Sequence, residues 1–131
     1  MFSIHSVSSD RELIFSSHHS EYFYVEFKGA GLSMSTQVWQ GTYEKNLISF
    51  FQELAGYTQP WLGELGWESL EKEFAITATC TTLGHVFFQV NICYAYGSSE
   101  EWSGQVSLET ELGQIPIIAR QANAFFHDID H

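Results

Sequence analysis

Six histidines in 131 residues invite a metal or acid–base reading first. His127 and His131 stand four apart in His127-Asp128-Ile129-Asp130-His131, a spacing that sets two imidazoles on one face of a helix. That turn would be the last of its helix, where the chain frays and a histidine already answers the helix dipole. His18 and His19 have no third ligand placed near them by the sequence. His85 follows Gly84 where a turn becomes a strand. As a base it would need a nucleophile or carboxylate within about 3 Å, and its own hairpin offers none, so the ring reads as one that ties down the turn backbone. Carboxylates pair at Glu71 and Glu73, Glu100 and Glu101, and Glu109 and Glu111. The first and third pairs have the alternate spacing of a glycosidase or metal site, which is also the spacing of a sheet's solvated side. There is no G-x-S-x-G and no Walker loop, and Gly29-Ala30-Gly31 lacks a third glycine and a following helix. The residues therefore name no catalytic, cofactor-binding or metal-ligating set.

Charge is the stronger signal. Sixteen Asp and Glu against five Lys and Arg give a formal charge of -11. Such a field repels phosphate backbones and anionic lipid, which argues against nucleic acid and membrane partners and for a basic protein. The one cluster that reads as either core or interface holds Trp61, Glu64, Trp67, Glu68 and Glu71. Tryptophan anchors interfaces and acids steer a basic partner, yet tryptophans closing a helix-to-strand connection are also core residues.

The first twenty residues hold no secretory or membrane-spanning run, and Cys80 and Cys93 match no zinc or redox spacing, so the expectation is a cytoplasmic protein with both thiols reduced. At 131 residues with 44 % hydrophobic content, one self-folding domain over 1–131 is expected.

The elements that must position these residues follow from periodicity. Residues 11–40 read as a three-stranded meander, Phe15 pairing with Phe23 and Leu13 with Val25, with His18-His19-Ser20 at a hairpin tip. Pairing Phe27 with Leu32 and Val25 with Met34 makes Gly29-Ala30 a two-residue turn. The inward face carries Leu13, Phe15, Phe23, Val25, Phe27, Leu32, Met34 and Val38. Residues 43–57 form a core-facing helix through Leu47, Phe50, Phe51 and Leu54, with Thr42 as N-cap and Gly56 as stop. Thr58 to Glu71, broken by Pro60, Gly63 and Gly66, reads as a connection folding back onto the core. A second meander follows. The three-residue turn Thr82-Leu83-Gly84 pairs Cys80 with Val86, Ala78 with Phe88, Ile76 with Val90 and Phe74 with Ile92, placing Gly84 where a left-handed residue is needed. The same face continues by pairing Val90 with Val106 and Phe88 with Leu108, and turns Cys93 away from Cys80. Ile115, Ile118, Ala119, Ala122, Phe125, Phe126 and Ile129 make a helical stripe with Pro116 in its first turn.

The segments Asn46-Leu47-Ile48-Ser49-Phe50-Phe51-Gln52-Glu53-Leu54, Trp67-Glu68-Ser69-Leu70-Glu71, Phe74-Ala75-Ile76-Thr77-Ala78-Thr79 and Leu83-Gly84-His85-Val86 resemble a bacterial pattern. It is that of the small acidic immunity proteins of the WapI type and related families of unknown function, over about residues 35–125. These are packing motifs and bring no catalytic residues. The resemblance implies a cytoplasmic domain that neutralises a cognate toxin.

The sequence thus predicts an α+β fold of about six mainly antiparallel strands in two three-stranded meanders, with helices at roughly 43–57 and 113–129 packed on the sheet. It predicts a non-enzymatic binding protein for a basic protein toxin encoded by a neighbouring gene, with Trp61, Glu64, Trp67, Glu68 and Glu71 as its interface. A pocket between sheet and helix lined by His85 and carboxylates would instead favour a small-ligand binder or enzyme, and a structural subunit is the third alternative.

Overall fold

Alternation of apolar and polar residues builds two sheets, and two amphipathic helices close them. The computed structural model of the protein describes residues 1–19, 21–40 and 46–127. Strands β1 (Phe2–His5), β2 (Glu12–His19), β3 (Tyr22–Gly29) and β4 (Leu32–Trp39) make one antiparallel sheet in that order. After α1 (Leu47–Ala55), strands β5 (Leu65–Glu68), β6 (Phe74–Cys80), β7 (His85–Tyr94) and β8 (Trp102–Glu111) make a second. A 3-10 turn (Leu112–Gln114) leads into α2 (Ile115–His127). The fold is thus eight strands in two four-stranded antiparallel sheets with two helices, which corrects the expected six strands in two three-stranded meanders. The two additional strands are four residues each, too short for a periodic signal, and β5 carries Gly66 inside it.

In the second sheet the register is the expected one, from Cys80↔Val86 through Phe74↔Ile92 and on to Phe88↔Leu108. Gly84 takes φ 84°, and its N–H donates to Thr81 O at 3.0 Å. In the first sheet the pairing is shifted by two residues, and of the residues expected inward Leu32, at the end of its strand, is 44 % exposed while the others are buried. Leu13 pairs with Phe27 and Phe15 with Val25, Phe27 pairs with Met34, and Gly29 with Leu32. The turn is therefore Ala30-Gly31, both at positive φ (55° and 76°), the geometry of a type I′ hairpin. Gly29 is needed for another reason: a Cβ there would lie 2.6 Å from the Arg11 backbone.

His18 is not at a hairpin tip. A register shift between Ser16 and His19, with Ser17 at φ 53°, reverses the alternation and turns His18 inward against Phe125 and Phe126, with ring centroids 5.5 and 5.3 Å away. Asn46 caps α1, its Oδ1 accepting from Ser49 N at 3.1 Å, and Gly56 ends the helix in a right-handed conformation, φ -72°. The expected N-cap at Thr42 and the pairing of His127 with His131 lie outside the described residues.

Phe15 shows how the layers meet. Its ring touches Phe2 (4.6 Å), Phe51 of α1 (6.3 Å) and Phe74 of the second sheet (5.9 Å), while Phe23 meets both Phe74 (6.5 Å) and Phe126 of α2 (5.3 Å). Sheet β1–β4 thus shares its apolar face between the other sheet and the helix pair, and the buried side chains form one cluster.

Candidate functional site

The site begins with where β4 lies. A Cβ on Gly104 would fall inside the Met34 sulfur, so β4 rests directly on β8 there. At its other end the Trp39 N–H donates to a Glu73 carboxylate oxygen at 3.0 Å, beside the start of β6. β4 therefore crosses the second sheet along the paired residues Phe74, Ile92 and Gly104. Tyr94 and Trp102 are the next paired residues on that same face. They extend past β4 into solvent, 52 % and 40 % exposed, their rings stacked at 6.0 Å and 21°.

Carboxylates gather around this end. Glu68, Glu71, Glu100 and Glu101 are exposed on the turns and strand ends beside it, and Glu21 accepts from Trp39 Nε1 at 3.4 Å. The cation here, Lys72, lies 5.5 Å over the Tyr96 ring, which is 61 % exposed. Glu73 serves structure: besides Trp39 N it accepts from Ser69 Oγ at 2.7 Å, and Ser69 Oγ accepts from Phe74 N at 3.2 Å. Cys93 is buried beneath Glu101, its Sγ 3.6 Å from Oε1. Burial first, then the hydrogen bond and charge of Glu101 and the charge of Glu73, push its thiol above the ordinary range. Both cysteines are free.

The expected cluster is split by this geometry. Trp61 and Trp67 are core residues, 6 % and 9 % exposed, with Trp67 packed on Phe74 at 6.4 Å. Glu68 and Glu71 lie at the aromatic end. Glu64 precedes Leu65, which pairs with Ala78, and so sits at the opposite end of β5. Sequence reasoning missed Tyr94, Tyr96 and Trp102, because nothing in their own alternation says that β4 stops short of them.

His85 departs from its expected role. The turn is held by backbone and by Thr81, whose Oγ1 accepts from His85 N at 3.1 Å, while the imidazole Nδ1 faces Glu109 Oε1 at 3.3 Å without a well-directed hydrogen bond. The carboxylate comes from β8, one strand away from the hairpin that carries His85. Beside it lies an open cleft of about 470 Å³ between Thr58–Pro60, the Thr82–Gly84 turn and Glu111–Gly113. Among the described residues no three His, Cys, Asp or Glu side chains converge as metal ligands would, and no helix is long and apolar enough to cross a membrane.

No curated protein and no solved structure matches the chain, and nothing in these comparisons supports the resemblance to WapI-type immunity proteins. A family model does match, over residues 6–129, which takes in every strand except β1. The chain belongs to that family, the family of unknown function DUF6228.

Proposed function

We propose that this chain is a non-enzymatic binding protein whose acidic, aromatic end holds a basic protein partner. In its narrower form the partner is a toxin that the chain neutralises in the cytoplasm. The observation that carries the reading is the coincidence of exposed Tyr94, Tyr96 and Trp102 with Glu68, Glu71, Glu100 and Glu101 at one end of a chain of formal charge -11. Exposed aromatic rings anchor interfaces, and a surrounding negative field speeds the approach of a cationic protein. Lys72 over Tyr96 is an internal example of the contact a partner's lysine or arginine would make. The test is stopped-flow association with the product of the neighbouring gene across a salt series. Association should slow as ions screen the field, and Tyr94→Ala or Trp102→Ala should raise the dissociation rate. Association indifferent to salt, or no binding at micromolar concentration, contradicts the reading.

A second reading rests on the cleft beside His85, which has a carboxylate lining in Glu111 and brings Glu109 to the imidazole. That arrangement could serve a small-ligand site. Among the described residues its lining holds no lysine or arginine to stabilise developing negative charge, and no serine or cysteine nucleophile. Saturation with a ligand abolished by His85→Ala and unaffected by Trp102→Ala would move the assignment there.

A further inference from the structure

The free edge of β4 lies beside the aromatic end, and its chemistry is specific. Gly29↔Leu32 flanks a two-residue turn and Gln40 N donates to Glu21 O at 2.7 Å, so even-numbered residues of β4 bond to β3 and odd-numbered ones point outward. The outward Trp39 N–H is taken by Glu73. Ser33, Ser35 and Gln37 have no backbone partner on that side among the described residues. The strand is eight residues long with no charge, no proline and no bulge, the usual guards of an exposed edge. A strand added to β4 would lie about 4.8 Å outside it, and two residues along β7 advance about 6.6 Å. The added strand would therefore run over Tyr94 and Trp102.

Resting on the basic-partner reading above, we propose that an extended, basic segment of the partner protein pairs antiparallel or parallel with Ser33–Gln37 as a fifth strand of sheet β1–β4. Its backbone bonds to the outward groups of Ser33, Ser35 and Gln37. Its inward side chains sit on Tyr94 and Trp102, and its cations face Glu71, Glu100 and Glu101. A second copy of this chain is the weaker occupant, because two bodies of formal charge -11 repel as they align.

The test uses an eight-residue peptide alternating lysine and valine, with a glutamate–valine peptide as control, at low salt. The lysine peptide should bind, slow exchange of the Ser33, Ser35 and Gln37 amides, and quench Trp102. Ser35→Pro should weaken it about tenfold or more, since proline removes an outward donor and obstructs pairing. Should that variant fail to fold, Trp102→Ala and the amide exchange of the unaltered protein decide. Binding with those amides unprotected overturns edge pairing and leaves the basic-partner reading standing. No binding, or equal binding of the glutamate peptide, overturns the proposal, and the neighbouring gene product then tests the reading alone. Concentration-dependent protection of the same amides without peptide assigns the edge to a second copy and also overturns it.

Discussion

Strands β4 and β8 are both the outer member of a four-stranded sheet, and both are long, yet they meet solvent differently. On β8 the β1–β2 connection covers half the edge: Val7 N donates to Glu109 O (2.9 Å), Glu109 N to Ser6 Oγ (3.3 Å) and Arg11 to Ser107 O (2.9 Å). The remaining edges, β1 and β5, are four residues each, and α2 and α1 pack against them. Among the described residues β4 is regular and uncovered along its length except at Trp39, whereas β8 is covered along its second half. Two short edges packed by helices, a third half covered and a fourth open beside exposed rings mark that fourth edge as a place for pairing.

Breaking the common core tests whether the two edges depend on one body. Phe51→Ala or Phe126→Ala should cost about 3 to 5 kcal/mol, since both side chains sit in the shared aromatic cluster and truncation leaves a cavity. Chemical denaturation reads the loss, and a midpoint close to the parent's would mean that the helix faces are misplaced. Within β4, a proline pair separates the two sides of the strand. Thr36→Pro removes a bond to Val25 and should cost about 3 kcal/mol or more, while Ser35→Pro, on the open side, should cost about 1 kcal/mol. Equal losses would place β4 inside a longer sheet.

Uncovering β8 sharpens the contrast. Arg11→Ala with Ser6→Ala should lose about 1 kcal/mol and speed exchange of the Glu109 amide, whose N–H loses the Ser6 hydroxyl. The smallest effect concerns Cys93, beneath Glu101 of the β7–β8 connection. The fold favours its neutral thiol, so that contribution is full below the ordinary thiol range and is lost as pH rises through the raised value. At pH near 8, iodoacetamide should modify Cys80 before Cys93. Equal rates would mean that Glu101 does not seat the loop over Cys93.

Legibility in the sequence varied with the element. The β6–β8 meander could be read down to its pairs because only one register gives a continuous apolar face and a glycine at the left-handed position. In β2–β4 a shift of two residues preserves the face, so the inward residues could be named, apart from the exposed Leu32, while the pairs could not. The shift at Ser17 hid the burial of His18 for a related reason, since a bulge reverses alternation locally. Of the candidate interface, Glu68 and Glu71 lie where partner binding is proposed, whereas Trp61 and Trp67 turned inward. The exposure of Tyr94 and Trp102 depends on where another sheet's strand crosses, and composition carries no trace of that.

Residue-resolved amide exchange of the free protein tests the central contrast most directly. Ser33, Ser35 and Gln37 should exchange about a hundredfold faster than Met34, Thr36 and Val38, with Val7 and Glu109 protected at the covered edge. Uniform protection along β4, or exchange at Glu109 as fast as at Ser35, would contradict the account.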